Sequence, residues 1–239
     1  MIPRKIHYCW FGHGEMPAMA KQCVASWHEY MPAYEYKLWN ETCFDVNQVP
    51  YVREAYEARK FAFVSDDVRL WALYNEGGIY LDTDVKVLKP FDDLLDKRAF
   101  AGFEGSKHLP VGTCVMASEA HGDWVAEQLD HYQSRHFIKS DGDFDLTTNV
   151  QFISAKMCEN GFVQDGKEQD YKDLHVFPVD YFSPRKTTGE YVCTENTHCD
   201  HLGLGSWAEG TESWKKRMGK VVGPKNMTRL IKMKRKLFG

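Results

Sequence analysis

The stretch Gly77-Gly78-Ile79-Tyr80-Leu81-Asp82-Thr83-Asp84-Val85-Lys86-Val87 constrains this chain more than any other. Glycine takes the left-handed backbone without steric cost, so the Gly pair stops the helix predicted from about Ala62 onward. Ile79–Leu81 and Val85–Leu88 read as extended apolar pieces flanking Asp82-Thr83-Asp84, and Pro90 ends the run. Two carboxylates between apolar strand fragments repel each other unless a cation or hydrogen-bond donors compensate. Hard oxygen ligands of this kind select Mg²⁺ or Mn²⁺, ions that keep open positions for substrate phosphates. The unit therefore points to a metal–diphosphate site, although an Asp-x-Asp taken alone also occurs in plain turns.

The flanking sequence predicts an α/β chain. Strands are expected over Lys5–Phe11, Tyr34–Trp39, Ala99–Phe103, Val111–Ala117 and His175–Val179. Helices are expected over Pro17–Tyr30, Tyr51–Arg59, Asp123–Arg135 and Thr148–Glu159. The polar span His136–Asp145 and the glycine-punctuated span His198–Trp207 read as loops. With no internal repeat or low-complexity linker, one catalytic domain over 1–219 is expected, followed by a segment of different character.

That segment stands out by charge. Residues 220–239 hold Lys220, Lys225, Arg229, Lys232, Lys234, Arg235 and Lys236 and no acid, so the formal net charge of −4 conceals −11 over residues 1–219. A balance of this sign argues against a nucleic-acid partner. Met227, Leu230, Ile231, Lys234 and Leu237 fall near helical spacing, which suits an amphipathic foot on an anionic membrane surface; a solvated terminus is the other reading. No run approaches a membrane span and the N-terminus lacks the apolar stretch of a signal peptide, so a cytoplasmic protein, peripheral at the inner face of the membrane, is expected. Seven cysteines without a Cys-x-x-Cys pair fit reduced thiols, and Cys193, His198, Cys199 and His201 lack the spacing of a zinc site.

The run from Phe61 through Ser65-Asp66-Asp67-Val68-Arg69 to Asp84-Val85 resembles the signature of the family 32 glycosyltransferases, which includes bacterial capsule enzymes and yeast mannosyltransferases and is related to the large clostridial glucosylating toxins. The likeness extends through Ile2–Phe11, Ser26-Trp27, Trp39-Asn40, Val87–Pro90 and a late His201-x4-Ser206-Trp207. Residues 106–190 depart from it, and acceptor choice is expected there. The resemblance implies a GT-A fold: an α/β, Rossmann-like mixed sheet flanked by helices that binds a nucleotide sugar.

It also implies roles. Asp84 resembles the direct Mn²⁺ or Mg²⁺ ligand, and Asp82 the partner that reaches the ribose, the sugar or the metal. Asp66 and Arg69, on one helix face by their i, i+3 spacing, resemble the pair that holds the donor sugar and diphosphate, while Asp67 is expected to point elsewhere. Trp10 resembles the aromatic that stacks on the nucleobase. His201, Ser206 and Trp207 resemble the closing loop, with His201 or Ser206 completing the metal shell and Trp207 donating to the leaving diphosphate. Asn149 occupies the place of a polar side chain near the donor sugar. Each has a structural alternative: a surface ion pair for Asp66 and Arg69, a core position for Trp10, a plain hydrogen bonder for His201.

The activity implied is a retaining, metal-dependent hexose transfer from a nucleotide sugar, UDP-linked in the first instance with GDP-mannose open, to a surface-polysaccharide or lipid-linked glycan. No second carboxylate stands out as a nucleophile, in contrast to retaining glycosidases. The alternatives are a toxin-like transferase acting on a protein side chain, and a non-catalytic nucleotide-sugar or glycan binder.

Overall fold

The computed structural model describes residues 1–105, 110–184 and 190–203. Its framework is a seven-stranded mixed sheet in the order β2-β1-β3-β6-β5-β8-β7. The strands are β1 (Lys5–Cys9), β2 (Glu35–Trp39), β3 (Gly78–Leu81), β5 (Ala99–Phe103), β6 (Val111–Ser118), β7 (Gln169–Tyr171) and β8 (Leu174–Phe177). β1 runs parallel to both β2 and β3, so Trp10, Asn40 and Asp82 all leave the sheet at the same edge. β3 and β5 each run antiparallel to β6, which brings Glu104 and the N-terminal half of β6 to that edge as well.

Side-chain alternation divides the core into two layers. Tyr80 faces the layer built with α2 (Pro50–Glu57), α3 (Phe61–Glu76), α4 (Asp123–Gln133) and α5 (Asn149–Glu159). Ile79 and Leu81 face the opposite layer, built with α1 (Ala18–Tyr30) and a two-stranded ribbon of β4 (Val85–Val87) and β9 (Cys199–His201). The expected strand after the Asp-x-Asp unit thus exists but has left the main sheet. The indole Nε1 of Trp27 donates to the Val85 carbonyl (2.7 Å) and Ser26 Oγ accepts from Val87 N–H (3.0 Å), so α1 holds the ribbon in place.

The loop expected over 198–207 is therefore a strand over Cys199–His201, antiparallel to β4 with Val85 opposite His201. This pairing is long-range, and local composition carries no sign of it. β7 is short and polar, an edge strand without the apolar alternation that announces a strand. β1 stops at Cys9, two residues short of the expected end.

At the turn from α3 into β3, Gly77 and Gly78 have φ of +62° and +114°. A Cβ on Gly78 would stand 2.6 Å from the Lys5 carbonyl oxygen. Beside it the buried His7 ring contacts the Gly77 carbonyl through Nε2 (2.8 Å) and accepts from Trp39 Nε1–H at Nδ1 (3.0 Å). That arrangement makes Nε2 the donor and the ring neutral, and burial lowers the His7 pKa accordingly.

Candidate active site

Strand alternation aims Asp82 the same way as Tyr80, toward α3. There Arg69 gathers the site. Its Nη2 lies 3.0 Å from Asp66 Oδ1 and 3.4 Å from Asp82 Oδ1. Its Nη1 donates to the Thr113 carbonyl (2.8 Å) and its Nε to the Ser65 carbonyl (3.1 Å). The guanidinium carbon stands 4.6 Å from the centre of the Tyr80 ring, whose hydroxyl donates to Asp82 Oδ1 (2.9 Å). Arg69 and Asp66 are buried, so this is not the surface ion pair allowed as the alternative.

Burial pushes the Asp66 carboxyl up to about 7, with Arg69 opposing the shift. The backbone N–H of Asn149, at the first turn of α5, faces the Asp66 carboxylate and also opposes the shift. Thr148 caps that helix with Gln151 in a capping box, which fixes where the N–H points. Asn149 Oδ1 accepts from Tyr132 (3.1 Å), and its Nδ2 has no partner among the described residues. The structure therefore joins Asn149 to Asp66 through its main chain.

Asp84 lies across the Asp82–Asp84 turn, on the side of the ribbon. The turn is tied by Asp82 N–H to the Cys114 carbonyl (2.9 Å), Val85 N–H to the Asp82 carbonyl (3.0 Å) and Leu202 N–H to the Asp84 carbonyl (3.0 Å). His201 Nε2 stands 3.4 Å from Asp84 Oδ1. Burial disfavours the His201 cation, yet the adjacent Cys114 and Asp84 raise its pKa well above the usual imidazole range. One ligand atom each from Asp82, Asp84 and His201 falls within 4.8 Å of the others. Two carboxylates and an imidazole form a donor set that suits Mn²⁺ or Mg²⁺ with positions left for phosphate oxygens.

Trp10 follows β1 at the same edge and is half-buried, with Nε1–H donating to the Gly14 carbonyl (2.6 Å). Its loop is fastened by Gly12 N–H to Glu41 Oε1 (2.6 Å). Ser206, Trp207 and residues 220–239 lie outside the described residues. The four residues of the rejected zinc pattern have separate surroundings: His198 contacts the Pro90 carbonyl, Cys199 the Phe182 carbonyl, His201 the Asp84 carboxylate, and Cys193 is exposed.

Three participants escaped the sequence reading. Tyr80 and Thr113 hold Arg69, and the strand alternation that pairs Tyr80 with Asp82 was a usable signal for the first. Glu104, just past β5, is half-buried near His201 and Asp82, and desolvation raises its pKa. Asp67 points away from Arg69, as expected, but into the protein: it is fully buried and neither carboxylate oxygen has a partner among the described residues.

Residues 17–101 match the family model of a glycosyltransferase sugar-binding region containing a DXD motif. The chain is 33% identical over 179 residues to Subversion of eukaryotic traffic protein A of Legionella pneumophila, an alignment covering 61% of this chain and 27% of that protein. It is 26% identical over 181 residues to inositol phosphoceramide mannosyltransferase 1 of Schizosaccharomyces pombe, covering 66% of this chain and 52% of the relative. The chain thus spans about a quarter to a half of the length of these curated relatives. Among solved structures, the PaToxG glycosyltransferase superposes with a TM-score of 0.53 at 16% identity, over 67% of this chain and 70% of that one, a likeness of fold. The sheet is of the GT-A type, and the matched segment carries Asp66, Arg69, Asp82 and Asp84. Over residues 17–101 the chain is thus similar to glycosyltransferase sugar-binding regions containing a DXD motif.

Proposed function

We propose that the chain is a metal-dependent glycosyltransferase that moves a hexose from a nucleotide sugar, UDP-linked in the first instance, to a lipid-linked or surface glycan with retention of configuration. The observation that carries this reading is the junction of Asp66, Arg69 and Asp82, with Asp84 and His201 beside it at one sheet edge.

Asp82, Asp84 and His201 would hold Mn²⁺ or Mg²⁺, with Ser206 as a further ligand. The ion supplies a Lewis-acid charge for a diphosphate leaving group. Arg69 places a second fixed cation at the same edge, already oriented by two carboxylates and two main-chain carbonyls, so little reorganisation is needed when phosphate charge develops. In this reading Asp66 would accept from sugar hydroxyls, Trp10 would stack on the base, and Trp207, outside the described residues, would donate to the diphosphate. In this mechanism the acceptor hydroxyl loses its proton to the departing phosphate and attacks from the face it vacates.

The S. pombe relative is named for a mannosyl transfer to a ceramide lipid, which supports a lipid-borne acceptor and keeps GDP-mannose among the donors. The basic segment 220–239 would then face the anionic membrane carrying that acceptor. A protein acceptor is the second reading, favoured by the resemblance to the Legionella protein named for subversion of eukaryotic traffic.

The test is incubation with Mn²⁺ and a panel of UDP and GDP sugars, reading nucleotide diphosphate release. Release from one or two donors, lost on chelation and in Asp84→Ala, is the expected result. Full metal-dependent release by Asp84→Ala overturns the assignment, and binding of a donor without release identifies a non-catalytic binder.

A further inference from the structure

His201 belongs to two possible metal-binding sets. One is the Asp82–Asp84 set; the other is Glu104, Cys114 and His201, which also offer one ligand atom each within 4.8 Å of one another. The second set differs in kind. It contains a thiol, and a thiolate–imidazole–carboxylate combination suits Zn²⁺ or Cd²⁺ much better than Mg²⁺.

The fold builds this set from three distant pieces of chain. Cys114 is buried on β6, its sulfur facing the layer of α1 and the ribbon, 3.8 Å from Ser183 Oγ and within 4.8 Å of a ring nitrogen of His201. Glu104 is anchored through its backbone N–H to the Pro110 carbonyl (2.9 Å). Its carboxylate lies over Gly112, where an added Cβ would come within 3.0 Å of Oε2. Gly112 thus leaves the space that the Glu104 side chain occupies. A tetrahedral zinc site needs ligand atoms roughly 3.3–3.8 Å apart, so closure from separations of at most 4.8 Å takes side-chain movements of no more than about 1.5 Å.

We propose that Glu104, Cys114 and His201 form a second cation site for Zn²⁺ or a similarly soft divalent ion, mutually exclusive with the Asp82–Asp84 site because both need His201. A neutral imidazole has one lone pair, so it serves one ion at a time. On binding, the Cys114 S–H bond gives way to an S–metal bond and the proton passes to solvent. The consequence is inhibition by zinc at the expense of the Mn²⁺ or Mg²⁺ ion. This exclusion rests on the donor-site reading above, whereas the existence of the site does not.

Cadmium reports the site directly, through the ultraviolet sulfur-to-metal charge-transfer band. The exposed thiols Cys43, Cys158 and Cys193 are first changed to serine to leave the buried ones. Titration of that protein with Cd²⁺ alone is expected to give a band that saturates at one equivalent and is abolished by Zn²⁺. Adding Cys114→Ser removes the band, Glu104→Gln weakens Cd²⁺ binding by about tenfold or more, and Asp84→Asn retains it. No band in the starting protein, or a band unchanged by Cys114→Ser and by Glu104→Gln, overturns the site; loss of the band in Asp84→Asn overturns its distinctness. Excess Mn²⁺ is expected to weaken Cd²⁺ binding, and indifference to Mn²⁺ overturns the exclusion. None of these readouts depends on sugar transfer, so failure of the functional reading is separately visible.

Discussion

Arg69 on α3 and Asp82 at the end of β3 meet at 3.4 Å although twelve residues, two of them glycines, separate them. The contact exists because Gly77 and Gly78 reverse the chain tightly enough to lay β3 under the helix that precedes it. A helix-borne cation is thereby fixed against the first carboxylate of the Asp-x-Asp unit. Lysine cannot reproduce this: one ammonium on a flexible stem cannot serve Asp66, Asp82 and the Ser65 and Thr113 carbonyls together. Arg69→Lys is expected to cost about 3 kcal/mol by urea unfolding. Donor hydrolysis should fall by about 10²-fold or more; undiminished hydrolysis counts against the role of Arg69.

The glycine turn gives its own prediction. Gly78→Ala puts a methyl group 2.6 Å from the Lys5 carbonyl oxygen at φ +114°, where neither the neighbouring backbone nor the residue itself can yield. A loss of about 3 kcal/mol or more is expected in denaturant unfolding. Gly14→Ala is the control: its added Cβ meets nothing within 4 Å, and stability should change by less than about 1 kcal/mol. Equal effects at the two positions would show that the Gly78 conformation is not what holds β3 in register.

Metal dependence is testable without any donor. A ligand that binds only the folded protein stabilises it by about 2.7 kcal/mol at a hundred times its dissociation constant. Mn²⁺ should therefore raise the Tm of the protein, and excess chelator should reverse the gain. Asp84→Asn removes one of two carboxylates from the Asp82, Asp84 and His201 set. Its Mn²⁺-induced shift should shrink in keeping with about a tenfold or greater loss of affinity. A full shift in Asp84→Asn would place the ion elsewhere.

Local sequence carried the parts of this structure that local physics decides. The helix stop at Gly77, β3, the Asp82–Asp84 turn and the shared helix face of Asp66 and Arg69 all follow from backbone sterics and periodicity over a few residues. What long-range pairing decides was not legible. β4 leaves the main sheet because β9, more than a hundred residues later, pairs with it. Glu104 and Cys114 meet His201 because β5, β6 and β9 end near one edge, and nothing in a ten-residue window says so. The burial of Asp67 was not legible for a related reason. An ordinary amphipathic helix has an exposed face, but α3 packs against α2, α4 and the sheet, and Asp66, Asp67, Val68 and Arg69 are buried in succession.

Asp67 yields a pH-dependent prediction. Burial, reinforced by Asp66, pushes its carboxyl from 3.8 up to about 7. Between those values the folded chain holds a proton that the unfolded chain has released, so stability falls as pH rises through that window. The contribution is whole below about pH 4 and lost above about pH 7, with a limiting slope of about 1.4 kcal/mol per pH unit. Asn has nearly the same shape and no proton to lose. Urea unfolding of the wild type and Asp67→Asn should therefore agree within about 1 kcal/mol near pH 4 and diverge in favour of Asn, by an amount on the order of a few kcal/mol, near pH 8. Both proteins retain Asp66, so the divergence reports Asp67 together with its coupling to Asp66. A constant difference across the range would mean that Asp67 titrates alike in the folded and unfolded chains, which is incompatible with a carboxylate buried without partners among the described residues.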